Sequence, residues 1–409
     1  MLSTSQASSL NAFTALMSAA MALPIVAIPL TSRAEETPVV NTVDVVAKPN
    51  ATPLLPTGAV FGVRALYYRE TGDRMKVTEP VVWIKSPVGE SWEVSASATL
   101  DIVSGASAIF VSNQTGKPVQ VYTGASITDR RKAGDIAVKR RVGDSTLSVS
   151  RNQSAEKDYR SDATGVNATL DFNERNTTLA LGYGSSNDRV RSVTNQTLNE
   201  RRDSREYLFG VTQLLDRYSL LQSNLVNTKE RGYLNDPYRQ TVAFFTTSPR
   251  INLVADQRPN SRVQWAWLTR YKRTLQAQQA VVSAEYRYYR DDWGVRSHTL
   301  AGSWLQTLNE QWKVELGLRY YSQSKADFYR PELTARPFPM FTSSDQRLAS
   351  FGSIEPSLKV IYQFNDADSL DLGASLYRQQ GNWKLGGSGA QAYEPLQALL
   401  LNAGYTHRF

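Results

Sequence analysis

From Gly62 onward, apolar side chains recur at every second position in runs of about ten residues, and each run closes on a polar turn. Sixteen such runs can be laid out, at 62–70, 76–88, 91–104, 132–142, 145–156, 161–173, 176–187, 203–215, 217–230, 262–273, 279–292, 297–308, 312–325, 350–363, 369–380 and 397–409. Helical periodicity is absent. A period of two with one apolar and one polar face predicts strands that divide two media. The connections alternate in length. Gly89–Ser91, Gly143–Asp144, Asn173–Asn176, Asp216–Arg217, Thr274–Gln278, Asn309–Gln311 and Asn365–Asp368 are short and polar, whereas long connections fall near 105–131, 231–261 and 326–349. Short turns on one side and long loops on the other predict an all-β fold, a single antiparallel transmembrane β-barrel of about 16 strands. A soluble sandwich does not call for this alternation.

The register carries chemistry. On the tenth run Val263, Trp265, Trp267 and Tyr271 share one face, against Arg262, Gln264, Arg270 and Lys272 on the other. On the thirteenth, Val314, Leu316, Leu318 and Tyr320 oppose Lys313, Glu315, Arg319 and Tyr321. An Arg or Lys facing lipid at mid-membrane costs roughly 2–4 kcal/mol, so a one-residue slip would be prohibitive. The candidate lumen-lining residues are therefore Arg270, Lys272, Glu285, Arg287, Glu315 and Arg319, with small Thr299, Ala301 and Ser303 on the run between. Acids and bases nearly balance there. They can form a transverse field or paired ladders; the balance favours ladders and predicts weak ion selectivity. Aromatics gather at run ends, with Trp92, Phe172, Tyr218, Trp312, Tyr362 and Phe409 toward one interface. Tyr67, Tyr183, Tyr207 and Tyr288 lie toward the other, as two girdles require.

The amino terminus adds a compartment. Residues Ala12 to Leu30 are apolar but contain Pro24 and Pro29, and small Ser32 and Ala34 flank Arg33. The pattern predicts a signal peptide over 1–34, a flexible periplasmic lead-in over 35–61 and a barrel over 62–409. Thr42 to Ala47 resembles the energy-coupling box of active transporters, but those need a plug domain for which there is no room before Gly62. Loss of 1–34 removes Arg33 and no acid, leaving 45 Lys+Arg against 38 Asp+Glu, a net charge of +7. That excess suits lipopolysaccharide; no basic helix with interleaved aromatics favours nucleic acid. There is no cysteine and only His298 and His407 as imidazoles, so thiol, Fe–S and His-metal chemistry are not expected. No acidic run has the spacing of a calcium loop, and no cofactor is implied.

Leu399, Leu401, Ala403, Tyr405, His407 and Phe409 share one face of the closing run, with Leu400, Asn402, Gly404, Thr406 and Arg408 on the other. This run resembles the carboxy-terminal assembly signal of Gram-negative outer-membrane barrels, which implies that Tyr405 and Phe409 address the barrel-assembly machinery. Asp73-Arg74-Met75-Lys76-Val77, Ser104-Gly105-Ala106-Ser107, Gly124-Ala125-Ser126, Asp129-Arg130-Arg131 and Ala133-Gly134-Asp135 follow in order over about seventy residues. Their order resembles an outer-membrane barrel family of Gram-negative bacteria recorded as a domain of unknown function. Where that family places Pro after the first Gly-Ala-Ser, this chain has Ala108. The resemblance implies the cell outer membrane and supplies no reaction. Through the flavin-attachment and thioredoxin-like proteins that accompany members, it implies an envelope redox setting.

Two Gly-Ala-Ser turns around Ile109–Tyr122 predict a hairpin. It either dips into the lumen, with Arg130, Arg131 and Lys132 as candidate constriction residues near the mouth, or lies over the rim. Barrel hydrolases need a histidine beside a nucleophile or an acid; His298 follows Asp291 and Asp292, and His407 sits near the closing end, without a convincing nucleophile at either. Catalysis is not expected. A sixteen-stranded barrel leaves room for an aqueous channel. The expected function is a passive porin-like channel for small hydrophilic solutes or ions, and the alternative is a non-conducting scaffold for a periplasmic or surface redox partner. A homo-oligomer is compatible with either.

Overall fold

The computed structural model describes residues 58–105, 108–112, 119–122, 127–245, 248–334, 336–387, 389 and 394–409. The expected signal peptide, and the lead-in up to residue 57, lie outside the described residues. The wall is built from β1 (Val60–Glu70), β2 (Met75–Val88), β3 (Trp92–Gly105), β4 (Ile127–Val142), β5 (Ser145–Ala155), β6 (Tyr159–Phe172), β7 (Thr177–Arg191) and β8 (Asn199–Asp216). It continues with β9 (Ser219–Gly232), β10 (Ser261–Leu275), β11 (Ala280–Asp291), β12 (Arg296–Thr307), β13 (Trp312–Gln323), β14 (Phe351–Gln363), β15 (Asp368–Gln380) and β16 (Leu396–Arg408). These sixteen strands follow one another in sequence order around a closed barrel. The ladder closes where β1 meets β16 antiparallel, Val60 opposite Arg408 and Tyr67 opposite Leu401. Closure leaves no edge strand unpaired, which a bilayer demands because lipid offers no hydrogen bonds.

Alternation divides the two faces as the pattern requires. Trp267, Leu316, Leu318 and Leu401 are exposed on the outside, while Gln264, Arg270 and Leu400 are buried on the inside. Interior side chains of one strand lie across glycines of the next. Asn402 of β16 covers Gly373 of β15, and Asp371 of β15 covers Gly404 of β16; a Cβ at either glycine would strike the neighbour's side chain. Gly143, at φ +59, closes the two-residue turn between β4 and β5, a left-handed position that suits glycine.

The structure corrects one boundary that matters. The ladder between β3 and β4 runs on to Gly105 opposite Ile127, so β4 starts five residues before the expected 132. Arg130, Arg131 and Lys132 therefore stand in a strand, not in a constriction loop. Alternation separates them: Arg131 is buried on the interior face, whereas Arg130 and Lys132 are exposed on the outward face.

All three long connections carry structure of their own. Gln240–Phe245, Ser248–Ala255 and Glu332–Leu333 form a three-stranded sheet that joins the loop after β9 to the loop after β13. Ala108–Ser112 and Val119–Tyr122 pair as the expected hairpin, and its first strand lies beside Gln240–Phe245. Of the flanking Gly-Ala-Ser turns, Gly105 ends β3, and residues 106–107 and 124–126 lie outside the described residues.

Candidate functional site

The interior is a polar surface whose charges pair across neighbouring strands. At mid-barrel Arg270 of β10 faces Glu285 of β11, then come Ala301, Arg319 and Glu355 in register on β12, β13 and β14. Arg270 Nε donates to Glu285 at 2.9 Å, and Arg319 lies 3.8 Å from Glu355. Small Ala301 leaves space between the two pairs. Lys272 and Glu315 lie half-buried on the same face, and Arg287 is buried there. Nearer the short turns, Glu93 is shared by Lys85 at 3.0 Å and Lys139 at 2.9 Å. Asp371 is likewise shared by Arg64 and Lys359, each at 3.7 Å. These are ladders between adjacent strands, the arrangement that charge balance favours.

Accessibility changes along the axis. Toward the short turns the lysines keep contact with solvent, Lys139 at 31% and Lys85 at 26% of side-chain exposure. In the outer half of the wall the polar groups are sealed. Glu206, Glu230, Arg287 and Glu355 are all buried. Arg202 pairs with Glu230, Gln264 donates to Glu230 at 3.0 Å, and the single Tyr289 hydroxyl lies between Gln264 Oε1 at 3.0 Å and Asp291 at 2.9 Å.

What seals this half is a folded cap. Tyr289, Tyr321 and Phe351 point inward from β11, β13 and β14, and the loop residues Leu234, Phe328, Tyr329 and Leu348 pack onto them in one apolar cluster with Trp293. Above it lies a buried ion network. Asp345 receives Arg258 at 3.0 Å and the Arg347 Nε at 2.7 Å, with Arg239 at 3.6 Å. Arg347 also reaches Asp236 at 2.9 Å, and Arg258 reaches Asp256 at 2.6 Å. Burial alone would push the Asp345 carboxyl up, but the guanidiniums of Arg239, Arg347 and Arg258 outweigh it and hold it well below the carboxylate range. Burial prevails at Asp256, whose carboxyl is raised despite Arg258. The cap is also tied across the mouth: Tyr238 donates to Asp158 and accepts from the Val193 amide at 2.9 Å.

Beside that tie, Asp129 of β4 meets Glu156 and Asp158 of the turn after β5, with their ligand oxygens all within 4.8 Å of one another. Asp129 is buried, and its Oδ1 makes no hydrogen bond. Among the described residues this is the carboxylate group that could hold a metal ion, of the oxygen-liganded kind. Its members are too far apart in the chain for spacing to reveal it.

The histidines are occupied elsewhere. His298 Nδ1 lies 2.8 Å from the Tyr286 hydroxyl, and its ring packs on Tyr286 and Tyr288. His407 Nδ1 lies 2.7 Å from Asp368, which also accepts from Tyr405 at 2.6 Å, while the His407 ring meets Phe409 edge-on. The closing strand is thereby clasped to the first residue of β15.

The cap residues lie in loops, where no hydrophobic period marks a buried position. A signal was there: Asp256-Gln257-Arg258 and Asp345-Gln346-Arg347 are the same triplet, one in each loop.

The family described as "Protein of unknown function (DUF3570)" matches residues 13–400. No curated protein matches the chain. Among solved structures, a bacterial polysaccharide outer membrane secretin is similar at 10% identity and TM-score 0.47, covering 86% of this chain and 98% of that one. In-vitro folded OmpT, an outer membrane protein of Vibrio cholerae, is similar at 8% identity and TM-score 0.44, over 86% and 97%. The toluene transporter TodX of Pseudomonas putida is similar at 9% identity and TM-score 0.39, over 90% and 94%.

Proposed function

The chain belongs to the DUF3570 family of proteins of unknown function, and we propose that it stands in the outer membrane of a Gram-negative bacterium as a passive, porin-like channel for small hydrophilic solutes or ions. The observation that carries this reading is the closed barrel with a polar, ion-paired interior whose periplasmic half keeps solvent contact at Lys85 and Lys139. Paired charges leave no net field across the lumen, so selectivity between small ions is weak. The cap makes the outer mouth the narrow point, and conductance is correspondingly small. Candidate lumen residues are Arg270, Lys272, Glu285, Arg287, Glu315 and Arg319. Tyr405 and Phe409 serve as the signal read during assembly, with Asp368 as the acceptor that seats Tyr405.

The sealing of the outer half supports a second reading, a non-conducting barrel that holds a periplasmic or surface redox partner. Planar-bilayer recording on the refolded full-length protein separates the two. Small, weakly selective steps that grow when the cap is loosened by Asp345→Ala support the channel. A flat trace at every voltage, in the native protein and in Asp345→Ala alike, supports the scaffold.

A further inference from the structure

The outward face of β5 to β9 changes character within one step of the ladder. Val149, Val166, Tyr183 and Tyr207 stand in one row across β5, β6, β7 and β8. They are all exposed, as lipid-facing residues must be. Two residues further out, about 7 Å at strand rise, the row holds Arg151, Thr164, Ser185, Arg205 and Lys229. Two rows above that, Arg160, Arg189 and Arg201 stand directly opposite one another on β6, β7 and β8. All three are exposed.

Like charges directly opposite on a sheet destabilise it. The acids within the patch are few. Asp162 is shared by Arg151 at 3.1 Å and Arg160 at 3.3 Å, and Asp203 lies opposite Arg231. Arg189, Arg201 and Arg205 make no ion pair among the described residues. The interior charges meet partners on neighbouring strands; these arginines meet one another. Their occupant must be anionic, multivalent and seated at the top of the apolar band, where headgroups of the outer leaflet lie.

We propose that this patch binds lipopolysaccharide, with Arg160, Arg189 and Arg201 gripping the phosphates of its lipid A. Guanidinium forks take phosphate oxygens two at a time, which suits arginine over lysine in the triad. The acyl chains then run down past Tyr183, Tyr207 and the valines. The proposal rests on the outer-membrane reading and deepens it by naming the lipid.

The test uses full-length protein refolded into phosphatidylcholine vesicles and titrated with bis-phosphorylated lipid A, dephosphorylated lipid A and phosphatidylglycerol. The native protein should prefer bis-phosphorylated lipid A, with affinity falling as salt rises. The triple variant Arg160→Gln, Arg189→Gln, Arg201→Gln should lose roughly a hundredfold, at about a factor of five per base near an anionic surface. A charge-matched control, Arg140→Gln, Arg175→Gln, Arg217→Gln at the periplasmic end, should bind as the native protein does. Unchanged affinity in the triple variant, an equal loss in the control, or equal binding of phosphatidylglycerol overturns the proposal while the barrel reading stands. A native chain that inserts into no vesicle overturns both.

Discussion

Asp345 is the pivot of the cap, and its removal should open the cap without opening the barrel. The carboxylate is wholly buried and draws on Arg239, Arg258 and Arg347. Removing one partner of a buried ion pair costs about 3–5 kcal/mol, because the remaining charge is stranded. Here each guanidinium keeps a second acid, Asp236 for Arg239 and Arg347, and Asp256 for Arg258. The lower end applies, about 3 kcal/mol for Asp345→Ala, or roughly two decades in the equilibrium for opening. Native-state hydrogen exchange reads it. The amides of Gln257 and Thr342 bond reciprocally between the two loops at 2.9 and 2.8 Å and should lose about two decades of protection. The Thr307 amide, bonded to Gln279 at the short-turn end, is the reference and should not change. Unchanged protection at Gln257 and Thr342, or equal loss at Thr307, would refute the reasoning. The pH dependence has a definite sign. The Asp345 carboxyl is held below its unfolded value, so its contribution is complete above the unfolded pKa of about 3.9 and is lost as pH falls below it. Cap exchange should quicken below about pH 4 in the native protein, and Asp345→Ala should remove that part of the response.

Three further outcomes follow from the faces of the wall. Leu318→Arg puts a charge on the lipid side and should destabilise the inserted barrel by about 2–4 kcal/mol in a denaturant titration; an unshifted midpoint would contradict the register. Glu285→Gln leaves the Arg270 charge unbalanced, so the reversal potential under a KCl gradient should move toward anion selectivity, and no movement would place the pair off the conduction path. Asp368→Ala removes the acceptor of Tyr405 and His407, so refolding into the closed, heat-resistant barrel should slow. An unaltered refolding rate would leave the clasp without a part in closure.

Most of the wall was legible in the chain, and the places where it was not share one cause. Strand ends agree with the alternating pattern to within two residues except at the start of β4, the end of β7 and the start of β8. All three are outer ends. There the outward positions are Arg130, Arg189, Arg191 and Arg201 instead of apolar residues, so the alternation vanishes while the hydrogen-bonded ladder continues. Hydrophobic periodicity reports the lipid boundary, and a strand may outrun it. The interior pairs followed from the same pattern only as a face, since Arg270 and Glu285 are fifteen residues apart and register alone makes them neighbours.

The sequence by itself determined the barrel and its two faces, because a one-residue slip would turn every charge onto the apolar face and so a period of two is written into each strand. The cap and the carboxylate group were decided by tertiary structure. Asp236, Asp256 and Asp345 lie in loops where water tolerates any order of residues, and nothing local says which Arg each will meet. Only when sixteen strands close do the loops after β9 and β13 face each other across one mouth, and only then can Arg258 of one Asp-Gln-Arg triplet meet Asp345 of the other, with Arg347 reaching Asp236.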